Sequence, residues 1–212
     1  MSALEQVLAR IDAEVEPALE RLFGSARDDV WLLGNQGEVT HYDGTRWNKL
    51  ASVPGAVFYG GWAVSKTLAY AVGGGGGIYR WDGATWQKVT SPTTANLLGI
   101  WGSSATDLWA VGNGGAIVRS DGTTWTLVTP RPTTANFRSV AGSGPNDVLL
   151  VGDDLWHWDG ATYSRNASPL SSPFLILNVQ MTPSGKAWAS GSGGAILRWN
   201  GSSWLVASPA VP

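Results

Sequence analysis

Five glycines fall at a nearly constant interval along the chain: Gly34, Gly73, Gly112, Gly152 and Gly191, separated by 39, 39, 40 and 39 residues. Three residues before each stands a large apolar side chain: Trp31, Tyr70, Trp109, Leu149 and Trp188. After each comes a tight-turn dipeptide, Asp43-Gly44, Asp82-Gly83, Asp121-Gly122, Asp159-Gly160 or Asn200-Gly201. Three residues beyond the turn glycine is a further aromatic: Trp47, Trp86, Trp125, Tyr163 or Trp204. Self-similarity at this period restricts the fold to an array of small units, none of which can bury its apolar faces alone. The linker Thr-Thr-Ala-Asn occurs twice, at 93–96 and 133–136, which points to duplication of whole units.

One unit reads as four short strands. In the third copy these are Leu97–Trp101, Asp107–Val111, Ala116–Ser120 and Thr124–Val128, separated by a polar corner, a Gly-rich turn and Asp121-Gly122. Asp-Gly between β-rich runs is a hairpin signal. Four strands recurring every 39 residues or so are the pattern of a propeller blade. The expected fold is all-β: a five-bladed β-propeller of four-stranded antiparallel blades over 18–212. The blades are placed at about 18–55, 56–95, 96–135, 136–173 and 174–212. The 13 Trp and 28 Gly follow from this design, with Trp filling the space between blades and Gly serving turns and close approaches.

The N-terminus departs from the repeat. Leu4, Val7, Leu8, Ile11 and Val15 form a helical stripe ending before Pro17, so residues 3–15 are expected as a short amphipathic helix within a 1–17 extension. Residues 18–23 are expected as the inner strand of the first blade. The last copy has its own fourth strand at Trp204–Ala207, so no strand is left to latch first blade to last. The exposed seam leaves two states, a monomer or a dimer through that seam.

Composition excludes several function classes. With 14 Lys+Arg against 16 Asp+Glu, a net charge of −2 gives no basic excess for a nucleic-acid partner. No apolar run reaches the roughly 18 residues of a membrane span, so no membrane insertion is expected. The absence of Cys removes thiolate chemistry and Cys-based metal centres, and two His are scant material for an imidazole site. No cofactor and no metal are expected. The chain reads as soluble and without a leader of its own; a surface location would require a longer natural protein.

Chemistry in a repeat fold should break the repeat, so repeated residues are read first as structural. Asp43, Asp82, Asp121 and Asp159 are turn residues. The column His41, Arg80, Arg119, His157 and Arg198 is either a cationic ring or, as preferred, a set of polar bridges to acidic corners such as Asp29, Asp107 and Asp147. Candidate ligand-binding residues are the departures: Asp153 and Asp154 on a shortened turn, Trp156 beside them, and Trp62 and Trp101 near the channel, where an aromatic mouth would stack a sugar. No catalytic residue is assigned; Glu38 lies in a turn, and Glu20 is the one inner-strand glutamate outside the repeat.

The stretch WGSSATDLWAVGNGGAIVRSDGTTW (101–125) resembles the tryptophan-rich propeller repeats of myxobacterial and related surface proteins. It is also similar to a degenerate Asp-box repeat of the sialidase and photosystem-assembly-factor type, represented by YDGTRW, WDGATW, SDGTTW, WDGATY and WNGSSW. The resemblance spans roughly 18–208 and implies a propeller whose Asp-boxes are peripheral structural turns. Residues 1–23 resemble the opening helix of dipeptidase-type zinc metallopeptidases, without that family's metal-binding motifs, as a fusion or recombination scar would. The expected function is a non-catalytic binding module for a protein or carbohydrate, acting through loops on one face or between blades, with a lectin as its sharpest form. A structural scaffold is the alternative, and a glycoside hydrolase, lacking its channel acids, the least favoured.

Overall fold

The computed structural model describes residues 19–34, 36–171 and 174–208. The helix expected over 3–15 lies outside these residues. Within them are five four-stranded antiparallel sheets, each built from contiguous chain. The first blade comprises β1 (Leu19–Ala26), β2 (Asp29–Gly34), β3 (Val39–Tyr42) and β4 (Trp47–Lys49). The second runs through β5 (Phe58–Ser65), β6 (Leu68–Gly73), β7 (Ile78–Trp81) and β8 (Trp86–Val89). The third has β9 (Leu97–Ser104), β10 (Asp107–Gly112), β11 (Ile117–Ser120) and β12 (Trp125–Leu127). The fourth has β13 (Phe137–Gly144), β14 (Asp147–Gly152), β15 (Leu155–Trp158) and β16 (Tyr163–Asn166). The fifth has β17 (Ile176–Met181), β18 (Ala187–Gly191), β19 (Ile196–Trp199) and β20 (Trp204–Ser208). The inner strand expected over 18–23 is thus present as β1. The inner strands of blades one to four run longer than the sequence suggested, because each pairs with its neighbour through a bulge at either end.

Both faces of a blade are apolar because both are covered. In β6, β10 and β14 every residue after the first is buried, as a strand sandwiched between two layers requires. Four apolar clusters form the core, one between each pair of consecutive blades. In the first, Trp31, Leu33 and Val39 of blade one meet Phe58, Ala69, Ala71, Tyr79 and Trp81 of blade two. Large side chains such as Phe58, Tyr79 and Trp81 and small ones such as Ala69 and Ala71 share the same face, so the sheets interdigitate. The inner strands pack in sequence, β1 on β5, β5 on β9, β9 on β13 and β13 on β17. β17 and β1 are not packed on one another in this way, so the five blades form an arc with a seam.

The blade faces are pinned by repeated polar devices. Asp29 is fully buried; it accepts hydrogen bonds from the Ser25 hydroxyl and the Trp31 indole (3.1 Å) and pairs with His41 (2.7 Å). Asp107 repeats this with Ser103, Trp109 and Arg119, and Asp147 with Ser143 and His157. The column of bases is therefore a set of bridges within single blades where the acid is present. Leu68 and Lys186 replace the acid in blades two and five, and there Arg80 and Arg198 form no ion pair among the described residues.

At the outer hairpins the Asp caps its own turn. The Asp121 carboxylate accepts from the Thr123 amide (2.9 Å), the Thr124 amide (2.8 Å) and the Thr123 hydroxyl (2.7 Å). Those bonds, the Thr124 amide foremost, hold its pKa down at about 2. Asp43, Asp82 and Asp159 are lowered for the same reason. A carboxyl whose folded pKa lies below its unfolded value stabilises the fold above the unfolded pKa, and this contribution is lost as pH falls toward the folded pKa. Asn200 makes the same turn with an amide oxygen. Replacing Asp43, Asp82, Asp121 and Asp159 together by Asn should therefore keep the fold and flatten the fall in melting temperature between about pH 4 and pH 2. Thermal melts of the two proteins across that window check it; parallel curves would refute the assignment.

Candidate functional site

The inner strands frame a central channel of about 710 Å³, lined by residues of β1, β5, β9, β13 and β17. Two rings of side chains can be followed along it. The deeper ring is Phe23, Trp62, Trp101, Ala141 and Gln180, at matched positions of the five strands. Here the aromatics are wedges: a Cβ added at Gly61 would meet the Phe23 ring at 2.1 Å, and one at Gly142 would meet Trp101 at 2.6 Å. Each ring thus rests on backbone of the next blade, at a site only glycine leaves open. Trp62 and Trp101 lie 6.2 Å apart, and Trp101 is only 7% exposed, so its ring is turned into the wall.

The other ring lies at the bulges that open each inner strand: Tyr59, Leu98, Arg138 and Leu177, with Arg21, Ser139 and Asn178 one step on. The Arg21 guanidinium donates to the Tyr59 carbonyl, and the Ser139 hydroxyl bonds to Asn178 (3.0 Å) and accepts from the Val179 amide (3.2 Å). These bonds tie the bulge of blade one to blade two and that of blade four to blade five. The buried Arg138 Nε has no hydrogen-bond partner among the described residues. No Asp, Glu or His is found among the channel-lining residues whose side chains are described, from Arg21 onward.

The sequence-derived candidates do not converge. Trp62 and Trp101 share the channel. Asp153, Asp154 and Trp156 sit elsewhere, on the second turn and third strand of blade four. Asp153 accepts from the amide and side chain of Asn136, and Asp154 from Arg165 (3.1 and 2.6 Å). Both carboxylates thus hold chain segments in place. Trp156 packs half-buried on the core between blades three and four. The duplicated linkers are clasps as well: Asn96 and Asn136 accept from Gly75 and Gly114 in the turns of the preceding blades (2.8 and 2.9 Å).

Arg138, Tyr59 and Asn178 were missed in reading the sequence. Their signal was present as two adjacent columns, Glu20, Tyr59, Leu98, Arg138 and Leu177, then Arg21, Gly60, Gly99, Ser139 and Asn178, which vary inside an otherwise repeated frame. Among the described residues, no group of three or more His, Asp and Glu side chains is placed to hold a metal ion, and no helix is long and apolar enough to cross a membrane.

No family model matches the sequence, and a search of curated proteins finds no match. Solved structures share the architecture. YCF48 bound to D1 peptide superposes with a TM-score of 0.66 at 18% identity, covering 90% of this chain and 67% of that one. YCF48 from Cyanidioschyzon merolae gives 0.66 at 16%, covering 89% and 71%. Virginiamycin B lyase from Staphylococcus aureus gives 0.74 at 14%, covering 90% and 70%. All are β-propeller proteins, and at these identities the likeness shows the fold alone.

Proposed function

We propose that this chain is a non-catalytic binding propeller that takes a segment of a protein partner at the bulge end of the channel, with a preference for acidic segments. The observation that carries this reading is Arg138, a cation on the channel wall whose buried Nε is unpaired where no carboxylate lies among the described lining residues. A partner carboxylate would meet its guanidinium with a charge-assisted hydrogen bond. The YCF48 neighbour with its D1 peptide supports a protein ligand for this architecture. The wedged Trp101 favours a peptide over a stacked sugar. The lyase neighbour raises an enzymatic reading, against which stands a channel wall without carboxylate or imidazole among its described residues.

The test is fluorescence anisotropy with labelled 15-residue peptides, one alternating Asp/Glu with apolar residues and one with Lys in place of the acids. The acidic peptide should bind, and Arg138→Ala should weaken it about tenfold or more, the size of one charge-assisted bond. Arg165→Ala, on the rim of blade four, should leave binding unchanged. Equal affinity in wild type and Arg138→Ala, or a response only to glycans on an array, would overturn the reading.

A further inference from the structure

The forward face of blade five, on one side of the seam, is built for covering, and no described residue covers it. Along β18 and β19 buried and exposed residues alternate, where the second strands of blades two to four and the third strands of blades two and three are buried throughout or nearly so, and the third strand of blade four has no exposed residue. Trp188 is 51% exposed, while its counterparts Trp31, Tyr70, Trp109 and Leu149 are at most 2% exposed. Ile196 is 41% exposed, against at most 1% for Val39, Ile78, Ile117 and Leu155. Trp188, Arg198 and Leu205 stand directly opposite one another across three strands, so they share this face. Leu205 is apolar where the other blades carry Asn48, Gln87, Thr126 and Ser164. A terminal blade adapted to water would show the reverse substitution.

Elsewhere the ring in this column is wedged by aromatics at the third hairpin of the next blade. Trp31 meets Trp81 (5.2 Å) and Trp86 (5.5 Å), Tyr70 meets Trp125 (5.8 Å), and Trp109 meets Trp158 (6.0 Å) and Tyr163 (6.3 Å). Trp188 has no such partner among the described residues. On the other side of the seam, blade one carries its own pair, Tyr42 and Trp47 (5.3 Å), with no ring of a preceding blade against it among the described residues.

We propose that the seam takes two further blades of this same repeat, with the aromatic pair of the incoming blade seated on Trp188. Two is the number that fits, because five blades account for 67–71% of the neighbouring propeller chains. A second copy of this chain fits less well. One blade face, four strands about 4.8 Å apart, offers on the order of 300 Å², against about 800 Å² per partner in a stable interface. A two-blade wedge is covered on both of its faces, by blade five and by blade one.

The chain has no cysteine, so Ser190→Cys, exposed on this face, supplies a single thiol for a chromogenic disulfide reagent. In the full chain the thiol should react freely at every protein concentration. Appending a second copy of residues 56–128, two blades led by the Trp81/Trp86 pair, should slow the reaction at least tenfold. Changing those two Trp to Ala in the appended copy alone should restore it. Undiminished reactivity in the extended protein would overturn the proposal. The unextended chain tests it independently. Protection that grows with concentration would make a second copy the occupant, and concentration-independent protection lost on deleting residues 1–18 would make it that segment; either result overturns the proposal.

Discussion

Trp109→Ala should destabilise the protein by about 3–5 kcal/mol, the usual cost of removing a fully buried large aromatic from a close-packed core. The ring is 0% exposed and has the Arg119 guanidinium 4.1 Å from its centre. Trp158 and Tyr163 close on it from the next blade, and its indole donates to Asp107. Truncation opens a cavity and also strands that carboxylate and guanidinium without their neighbour. For a chain of this size the loss corresponds to a fall of roughly 10 °C in melting temperature. Trp188→Ala removes the same side chain from the matched position of blade five, where half of it is exposed, and should cost about 1 kcal/mol or less. Chemical denaturation of the two variants side by side measures the difference. Equal losses would mean that blade five is covered in solution, and that the open seam is not.

A second pair of substitutions separates backbone strain from steric contact. Gly115 and Gly194 occupy equivalent turns, both at φ 70°, in the left-handed region that side chains disfavour. A Cβ on Gly115 would lie 1.9 Å from the Thr133 carbonyl oxygen, whereas one on Gly194 meets nothing within 4 Å. Gly194→Ala should therefore show only the conformational penalty, about 1–2 kcal/mol. Gly115→Ala must also push the linker of the next blade aside, bringing the loss to about 2–5 kcal/mol. Urea denaturation with a common slope decides it; a Gly194→Ala loss as large as that of Gly115→Ala would show that the linker contact is immaterial.

The fold was legible because its constraints are local and repeated. The Asp121-Gly122 hairpin, the Trp125 column and the 39-residue spacing each report the same blade, and five copies average out any one irregular turn. The first inner strand was legible only by alignment, since Leu-Glu-Arg-Leu-Phe has helical composition and becomes a strand through pairing with β2. The channel was much less legible. Its wall is set by bulges, and a bulge shifts which side chain faces inward by one residue, so the alternation that would reveal Arg138 is interrupted where it matters. Asp153 and Asp154 stood out as adjacent acids, but Asn136 and Arg165 lie 17 and 11 residues away in sequence, and only the folded sheet shows both carboxylates engaged.

That β17 and β1 are not packed together has a consequence for how stability is distributed. In a closed circle every member has two neighbours, and opening any one of them breaks two contacts at once. An arc has ends. Blade five is held by blade four alone among the described residues, so the free energy of opening declines toward the C-terminal end, as in a stack of nearest-neighbour units. Fraying there would expose the inner edge of β17, with Asn178 and Leu177, before the rest of the channel wall is disturbed. Whatever occupies the channel and also touches β17 would then be coupled to that gradient, since holding the last blade in place and being held by it are the same free energy.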